Sequence, residues 1–146
     1  MCEVFISADP QSYEGRTRSV RLHGVVTSIR LENLFWQVLE EIASRDGMGV
    51  VQLIEKLYDE LVAARGEVGN FASFLRVSAL RYEAMLAQGR IPADTAVPIR
   101  SLDAQTVLRA LPQGWGRPAR GVAASLDAPW STSALPQIVP RKSSSC

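Results

Sequence analysis

The sequence predicts a mainly α-helical domain that begins with one β-strand, ends with an extra helix and is followed by a disordered tail. Three observations predict this fold class. Side-chain polarity alternates from Gly24 to Leu31, which is typical of a strand. Apolar residues then recur at helical spacing in three successive segments. From Gly89 onward prolines recur among Ser, Ala and Gly, a composition that favours disorder.

The strand has two different faces, because successive side chains of a strand point to opposite sides. The expected core face consists of Val25, Thr27, Ile29 and Leu31. The expected outward face consists of Val26, Ser28 and Arg30. No neighbouring segment offers a convincing second strand, although buried backbone N–H and C=O groups must be paired. We therefore expect this strand to pair antiparallel with its own copy in a homodimer.

Helices are predicted over Asn33–Ala43, from Val50 to Ala63 or Ala64, and from an Asn70 cap to Leu86. The apolar arc of the first helix is wide enough for two interfaces, which fits an interdigitated dimer core. The alternative is a helix at the centre of a larger monomer, but so short a domain has little protein to surround it. The residues expected in the dimer core are Thr27, Ile29, Leu31, Trp36, Leu39, Ile42, Leu53 and Leu57.

Charge is distributed unevenly, although the net charge is only +1. Residues 14–30 contain four arginines and one glutamate, a local net charge of +3, whereas residues 32–63 have a local net charge of −5. This division suits a protein that presents one basic edge to phosphates while its helices face solvent and each other.

Several classes of protein are disfavoured. The chain has 146 residues, no stretch of 18 consecutive apolar residues and no basic leader, so we expect one soluble cytoplasmic domain without a membrane segment. His23 is the single histidine, and Cys2 and Cys146 lie at opposite ends, outside any metal-binding spacing. We expect free thiols, with a redox-sensitive link between subunits as the less favoured alternative. No metal, cofactor or catalytic residue is expected, and the chain is not expected to be an enzyme.

The order of the motifs carries a family resemblance. RTRSVRLHGVVTSIRLE is followed by LFWQVLEEIASRDG, then by LIEKLYDEL and NFASFLRVSALR. Over about residues 13–87 this order resembles a bacterial branch of the ribbon-helix-helix DNA-binding proteins, the class that contains the phage Arc repressor and the methionine repressor. The resemblance implies a homodimer whose paired strands enter a DNA major groove.

The resemblance also implies roles for single residues. It assigns Val26, Ser28 and Arg30 to the positions that read base edges. Arg30 can donate two hydrogen bonds to a guanine and Ser28 can donate or accept, whereas Val26 suits a thymine methyl group or a protein contact equally. The residues expected at phosphates are Arg16, Arg18 and Arg21 before the strand, with a solvated arginine cluster as the alternative, and Gly49 and Val50 at the start of the second helix.

Three parts are expected: an irregular segment over residues 1–15, a DNA-binding and dimerisation domain over 16–88, and a mostly disordered tail over 89–146 with a brief helix within Ser101–Leu111. The expected function is sequence-specific binding of duplex DNA by a homodimeric transcriptional regulator, as a repressor, with possible higher-order assembly on DNA. The alternative is a dimeric protein-interaction module, antitoxin-like or an adaptor, whose tail or third helix binds a partner protein.

Overall fold

The computed structural model describes residues 2–109. The secondary-structure elements, in chain order, are α1 (Cys2–Ile6), β1 (Gly15–Leu22), β2 (Val25–Glu32), α2 (Asn33–Arg45), α3 (Val50–Arg65), α4 (Phe71–Ala87) and α5 (Ala104–Leu108), with 3₁₀ turns at Pro10–Tyr13 and Ile99–Ser101. Helix α1 belongs to a different compact unit from all the other elements. The predicted order of strand and helices is confirmed.

Strands β1 and β2 form an antiparallel hairpin within one chain. The expectation that the strand has no partner in its own chain is therefore wrong, because β1 pairs with β2 from the open end, where Gly15 faces Glu32, to the turn, where Leu22 faces Val25. His23 and Gly24 connect the strands with φ values of 48° and 82°. Positive φ at both central residues is what a type I′ hairpin turn requires.

The faces of β2 largely follow the predicted alternation. Ile29 and Leu31 are buried, whereas Val26, Ser28 and Arg30 are exposed. Val25 was expected on the core face but is 65% exposed at the turn end of the strand.

The hydrophobic core lies between the hairpin and helices α2, α3 and α4. Its largest fully buried side chains are Trp36, Leu31, Leu39, Ile54 and Leu75. Burial of such a side chain stabilises the fold by about 2 kcal/mol. The indole nitrogen Nε1 of Trp36 also donates a 2.8 Å hydrogen bond to the carbonyl oxygen of Arg16, which connects α2 to β1.

Five residues expected between two subunits are instead buried by their own chain: Ile29, Leu31, Trp36, Leu39 and Leu53. Three others, Thr27, Ile42 and Leu57, are partly buried. The physical reason is that β1 and α4 supply within one chain the cover that we expected from a second copy. A residue that is already inaccessible in one chain has no surface left to bury against another.

The helix ends follow the predicted signals closely. Helix α2 begins at Asn33 as predicted and continues to Arg45, and Gly47 follows with a φ of 68°. Asn70 caps α4, where its side-chain oxygen accepts a 3.0 Å hydrogen bond from the amide of Ser73.

Residues 1–15 are less irregular than expected, since they contain α1 and the turn at Pro10–Tyr13. Asn33 holds this turn beside the start of α2, because its Nδ2 donates to the carbonyl of Gln11 and its amide donates to the carbonyl of Glu14, both at 2.9 Å.

The first part of the predicted disordered tail is folded. Arg45 is 5% exposed and organises it, since Nε donates to the carbonyl of Val97 and Nη2 donates to the carbonyls of Pro92 and Asp94 at 2.9–3.0 Å. Its Nη1 donates to the hydroxyl of Tyr82 at 3.0 Å. A brief helix was expected within Ser101–Leu111, and α5 occupies part of that range. Residues 110–146 of the predicted tail lie outside the described residues.

Two further observations concern residues 2–109. No helix in this range is long and apolar enough to cross a membrane. Cys2 was expected to be a free thiol but is disulfide-bonded, while Cys146 lies outside the described residues.

Replacement of Arg45 by Met should destabilise the domain. The Tyr82 hydroxyl and three backbone carbonyls lose their donor while they remain partly buried, so we expect the free energy of unfolding to fall by about 3 kcal/mol. Urea denaturation followed by tryptophan fluorescence measures this change. The exposed Arg81→Met is the matched control, with an expected change within about 0.5 kcal/mol. Equal stability of the two variants would contradict the role of Arg45.

Candidate nucleic-acid interface

Alternate residues of both strands form one exposed face of the hairpin, which we call the outer face. Three cross-strand pairs lie on it: Thr17 with Arg30, Ser19 with Ser28, and Arg21 with Val26. All six residues are exposed. Two arginines and three hydroxyl groups therefore point away from the core on a surface only two strands wide.

The dimensions of this face follow from strand geometry. Residues two apart on a strand are separated by about 7 Å, so the three pairs extend over about 13 Å. That length corresponds to about four base pairs at 3.4 Å each. A two-stranded ribbon also has the width that the major groove of B-form DNA admits. The outer face therefore has the size and the hydrogen-bonding groups needed to contact several adjacent base edges.

The three predicted arginines of β1 do not share one environment. Arg16 and Arg21 are exposed, and Nη1 of Arg21 donates a 3.3 Å hydrogen bond to the carbonyl of Gly24. Arg18 lies in an inner-face position, where its Nη2 bonds to the carboxylate of Glu40. Its guanidinium carbon is also 4.8 Å from the ring centroid of Trp36. Alternation along β1 places Arg18 on the same side as the buried Val20 and Leu22, whereas Arg21 lies on the outer face.

The start of α3 is partly occupied by the chain itself. Gly49 caps this helix, and its amide donates a 3.0 Å hydrogen bond to Oε1 of Gln52. Val50 follows as the first helical residue and is 9% exposed. A glutamine at the third helical position is a known N-terminal capping signal that the sequence reading overlooked. A phosphate at Gly49 therefore competes with this side chain.

A charged clamp joins the open end of the hairpin to α4. Arg76 donates from Nε to Oε2 of Glu32 at 2.8 Å and from Nη2 to Oε1 at 3.2 Å. This hydrogen-bonded pairing is the main cause that lowers the pKa of the Glu32 carboxyl. Glu32 occupies the N-cap position of α2, but its side chain makes no capping hydrogen bond. Its role is to bind α4, which single-sequence periodicity does not reveal.

The edge of β2 that faces away from β1 is the second feature of the interface. In a hairpin closed by a two-residue turn, the flanking residues form a hydrogen-bonded pair, and such pairs recur at every second position. The amide of Asn33 bonds to the carbonyl of Glu14, which agrees with this phase. The backbone groups of Val26, Ser28 and Arg30 therefore point away from β1. A groove of about 510 Å³ lies beside this edge, lined in part by Tyr58, Val68, Gly69, Phe71 and Ala72.

Comparisons with known proteins agree with this architecture. Residues 15–83 match the model of a ribbon-helix-helix domain. The solved structure of an uncharacterised protein from Bordetella pertussis Tohama I is 66% identical, with a TM-score of 0.77, over 82% of this chain and 95% of that chain. A search of curated proteins found no match.

This chain belongs to the ribbon-helix-helix domain family, which confirms the resemblance inferred from its motifs. Proteins of this family are generally DNA-binding regulators and are typically not enzymes.

Proposed function

We propose that this protein binds duplex DNA sequence-specifically, with the outer face of the hairpin in a major groove, and represses transcription by occluding the bound site. The supporting observation is the cross-strand register, which places Arg30 and Ser28 on the same exposed face as three polar residues of β1. Arg30 donates two hydrogen bonds to O6 and N7 of a guanine, Ser28 bonds to a neighbouring base, and Val26 packs against a thymine methyl group.

Phosphate contacts complete the proposed complex. Arg16 and Arg21 lie near opposite ends of β1 and are exposed, so each can reach a phosphate beside the groove. The start of α3 at Gly49 and Val50 adds the positive end of a helix dipole. Arg18 takes part only if it leaves Glu40, and we assign its main role to the attachment of β1 to α2.

We further propose that the protein is a homodimer whose two β2 strands pair antiparallel along their free edges. The backbone groups of Val26, Ser28 and Arg30 on that edge lack a strand partner in residues 2–109, and an exposed strand edge is a template for a second strand. Pairing of this kind gives a four-stranded sheet in which the outer faces of both copies are continuous. The resulting two-fold symmetry suits a palindromic site. Additional dimers along the DNA and a cytoplasmic, bacterial setting fit the same proposal.

A proline on the free edge tests the dimer. Ser28→Pro removes an amide that points away from β1, so the hairpin is retained while the partner strand loses a donor. Ser19→Pro is the matched control, because Ser19 faces Ser28 across the hairpin and its amide points to the opposite edge. Sedimentation equilibrium should show a dimer for the unmodified protein and for Ser19→Pro, and a monomer for Ser28→Pro. A dimer in all three proteins would contradict pairing through β2.

Selection of genomic DNA fragments tests the DNA-binding function. The unmodified protein should retain fragments that share one motif at moderate salt, and Arg30→Ala should bind that motif roughly 10-fold more weakly or worse. Arg81→Ala, an exposed arginine on α4, is the matched control and should behave as the unmodified protein does. Affinity for the motif should also fall steeply with salt, since bound phosphates release counterions. Retention of a sequence-blind pool, or of nothing, would contradict base reading.

The alternative function is a protein-interaction module, and one surface favours it. An apolar groove of about 330 Å³ lies between α2 and α4, lined by Leu34, Phe35, Val38, Ala79, Leu80 and Glu83. Leu34 and Leu80 are 50% and 48% exposed there, which is unusual for leucines on facing helices. Helix α4 was the expected partner-binding helix, whereas most of the expected partner-binding tail lies outside the described residues. If this protein shows no specific DNA binding, the groove between α2 and α4 is the surface to test for a protein partner.

A further inference from the structure

The outer face contains one position without a side chain. Gly15 begins β1 opposite Glu32, and it precedes Thr17, Ser19 and Arg21 on the same face. A strand normally disfavours glycine, because glycine loses conformational entropy and contributes no packing. The φ angle of Gly15 is not one of the positive values that would require glycine. Backbone conformation therefore does not explain why this position lacks a side chain.

Arg30 occupies the space that a side chain at this position would fill. Arg30 faces Thr17, so Gly15 is its diagonal neighbour across the hairpin. A Cβ built on Gly15 would lie 2.7 Å from Nε, 2.8 Å from Nη2 and 3.0 Å from Cζ of Arg30. The guanidinium therefore lies directly against the backbone of β1 at the open end of the outer face.

Charge favours the same placement. The pKa of the Glu32 carboxyl is lowered mainly by its hydrogen bond from Arg76, and the charge of Arg30 makes a smaller contribution. Arg30 is thus within electrostatic reach of the carboxylate that faces Gly15 across the hairpin. Because Arg76 already binds both oxygens of Glu32, Arg30 is attracted towards this end of the face without being captured in a paired salt bridge.

We propose that Gly15 is a positioning residue that seats the Arg30 guanidinium and thereby fixes which base Arg30 reads, an inference that rests on the proposed DNA-binding function. An arginine has several rotatable side-chain bonds, and its rotamer freedom is lost when it binds a base edge. The contact with Gly15 restricts the rotamers of Arg30 before the protein binds DNA. It also sets the reach of Arg30, because the guanidinium lies flat on the ribbon rather than extending from it.

Gly15→Ala tests the seat with little damage to the fold. The added methyl group meets the far end of a flexible side chain, so Arg30 moves while the backbone stays in place. Glu60→Ala is the control, because Glu60 is exposed on α3 and lies neither on the outer face nor among the residues that line the groove beside β2. Thermal unfolding of both variants checks that the fold is retained.

The first measurement uses the protein without DNA. Spectra of the arginine Nε–Hε groups by nuclear magnetic resonance contain one signal that disappears in Arg30→Ala, which identifies it. This signal should shift and become more mobile in Gly15→Ala and should stay unchanged in Glu60→Ala. An unchanged Arg30 signal in Gly15→Ala would contradict the position of the Arg30 guanidinium against Gly15. This result would hold whatever the protein binds.

The second measurement compares binding to the selected DNA site and to the same site with its contacted guanine replaced. Gly15→Ala should reduce the preference for guanine by roughly 2- to 10-fold, the range expected for a displaced rotamer. In an Arg30→Ala background the same substitution should have no further effect. The positioning role of Gly15 would be overturned if Gly15→Ala kept the full preference for guanine. It would also be overturned if the effects of Gly15→Ala and Arg30→Ala on this preference added in the double variant. If the unmodified protein shows no specific DNA binding, both the proposed function and the role of Arg30 in reading a base are overturned. The spectra of the protein without DNA still decide whether the Arg30 guanidinium lies against Gly15.

Discussion

The two-residue turn at His23 and Gly24 is the constraint on which the rest of the hairpin depends. It fixes the register in which Leu22 faces Val25, and every other pair follows from that one. A shift of one residue would exchange the two faces of β2, exposing Ile29 and Leu31 and burying Arg30. Positive φ at His23 and Gly24 therefore sets which residues lie on the polar outer face, on the apolar inner face and on the free edge of β2.

Within one chain, the apolar part of the inner face of the hairpin, formed by Val20, Leu22, Ile29 and Leu31, is buried. Trp36 connects α2 to β1 through the carbonyl of Arg16, and Arg76 connects α4 to β2 through Glu32. These two attachments lie on different strands, so the hairpin is held from both sides while its outer face stays exposed. In the dimer that we propose, the strand edge and the groove beside it form the interface, and this arrangement would place the two outer faces side by side.

Local signals in the sequence predicted the helices well, because caps and apolar periodicity are set by neighbouring residues. Asn70 marked the start of α4 where the structure has it. The outward positions of Val26, Ser28 and Arg30 also followed from alternation alone. These features need no knowledge of what lies across the fold.

Features that depend on distant contacts were not predictable in this way. The strand β1 was overlooked because its arginines hid the alternation and because a His-Gly turn is less familiar than Asn-Gly, although histidine tolerates positive φ. Arg45 looked like an ordinary helix-end charge, yet its donors bind carbonyls about fifty residues away. Neither this contact nor the closeness of Gly15 to Arg30 has a periodic signature, since each joins residues that only the tertiary fold brings together.

The proposed position of the outer face in a major groove is tested most directly by methylation interference on a bound DNA fragment. Dimethyl sulfate methylates guanine at N7 in the major groove and adenine at N3 in the minor groove. We expect that methylation of specific guanines blocks binding of the unmodified protein, and that interference at one of them is lost in Arg30→Ala. Interference confined to adenine N3 would contradict it, because the ribbon would then lie in the minor groove.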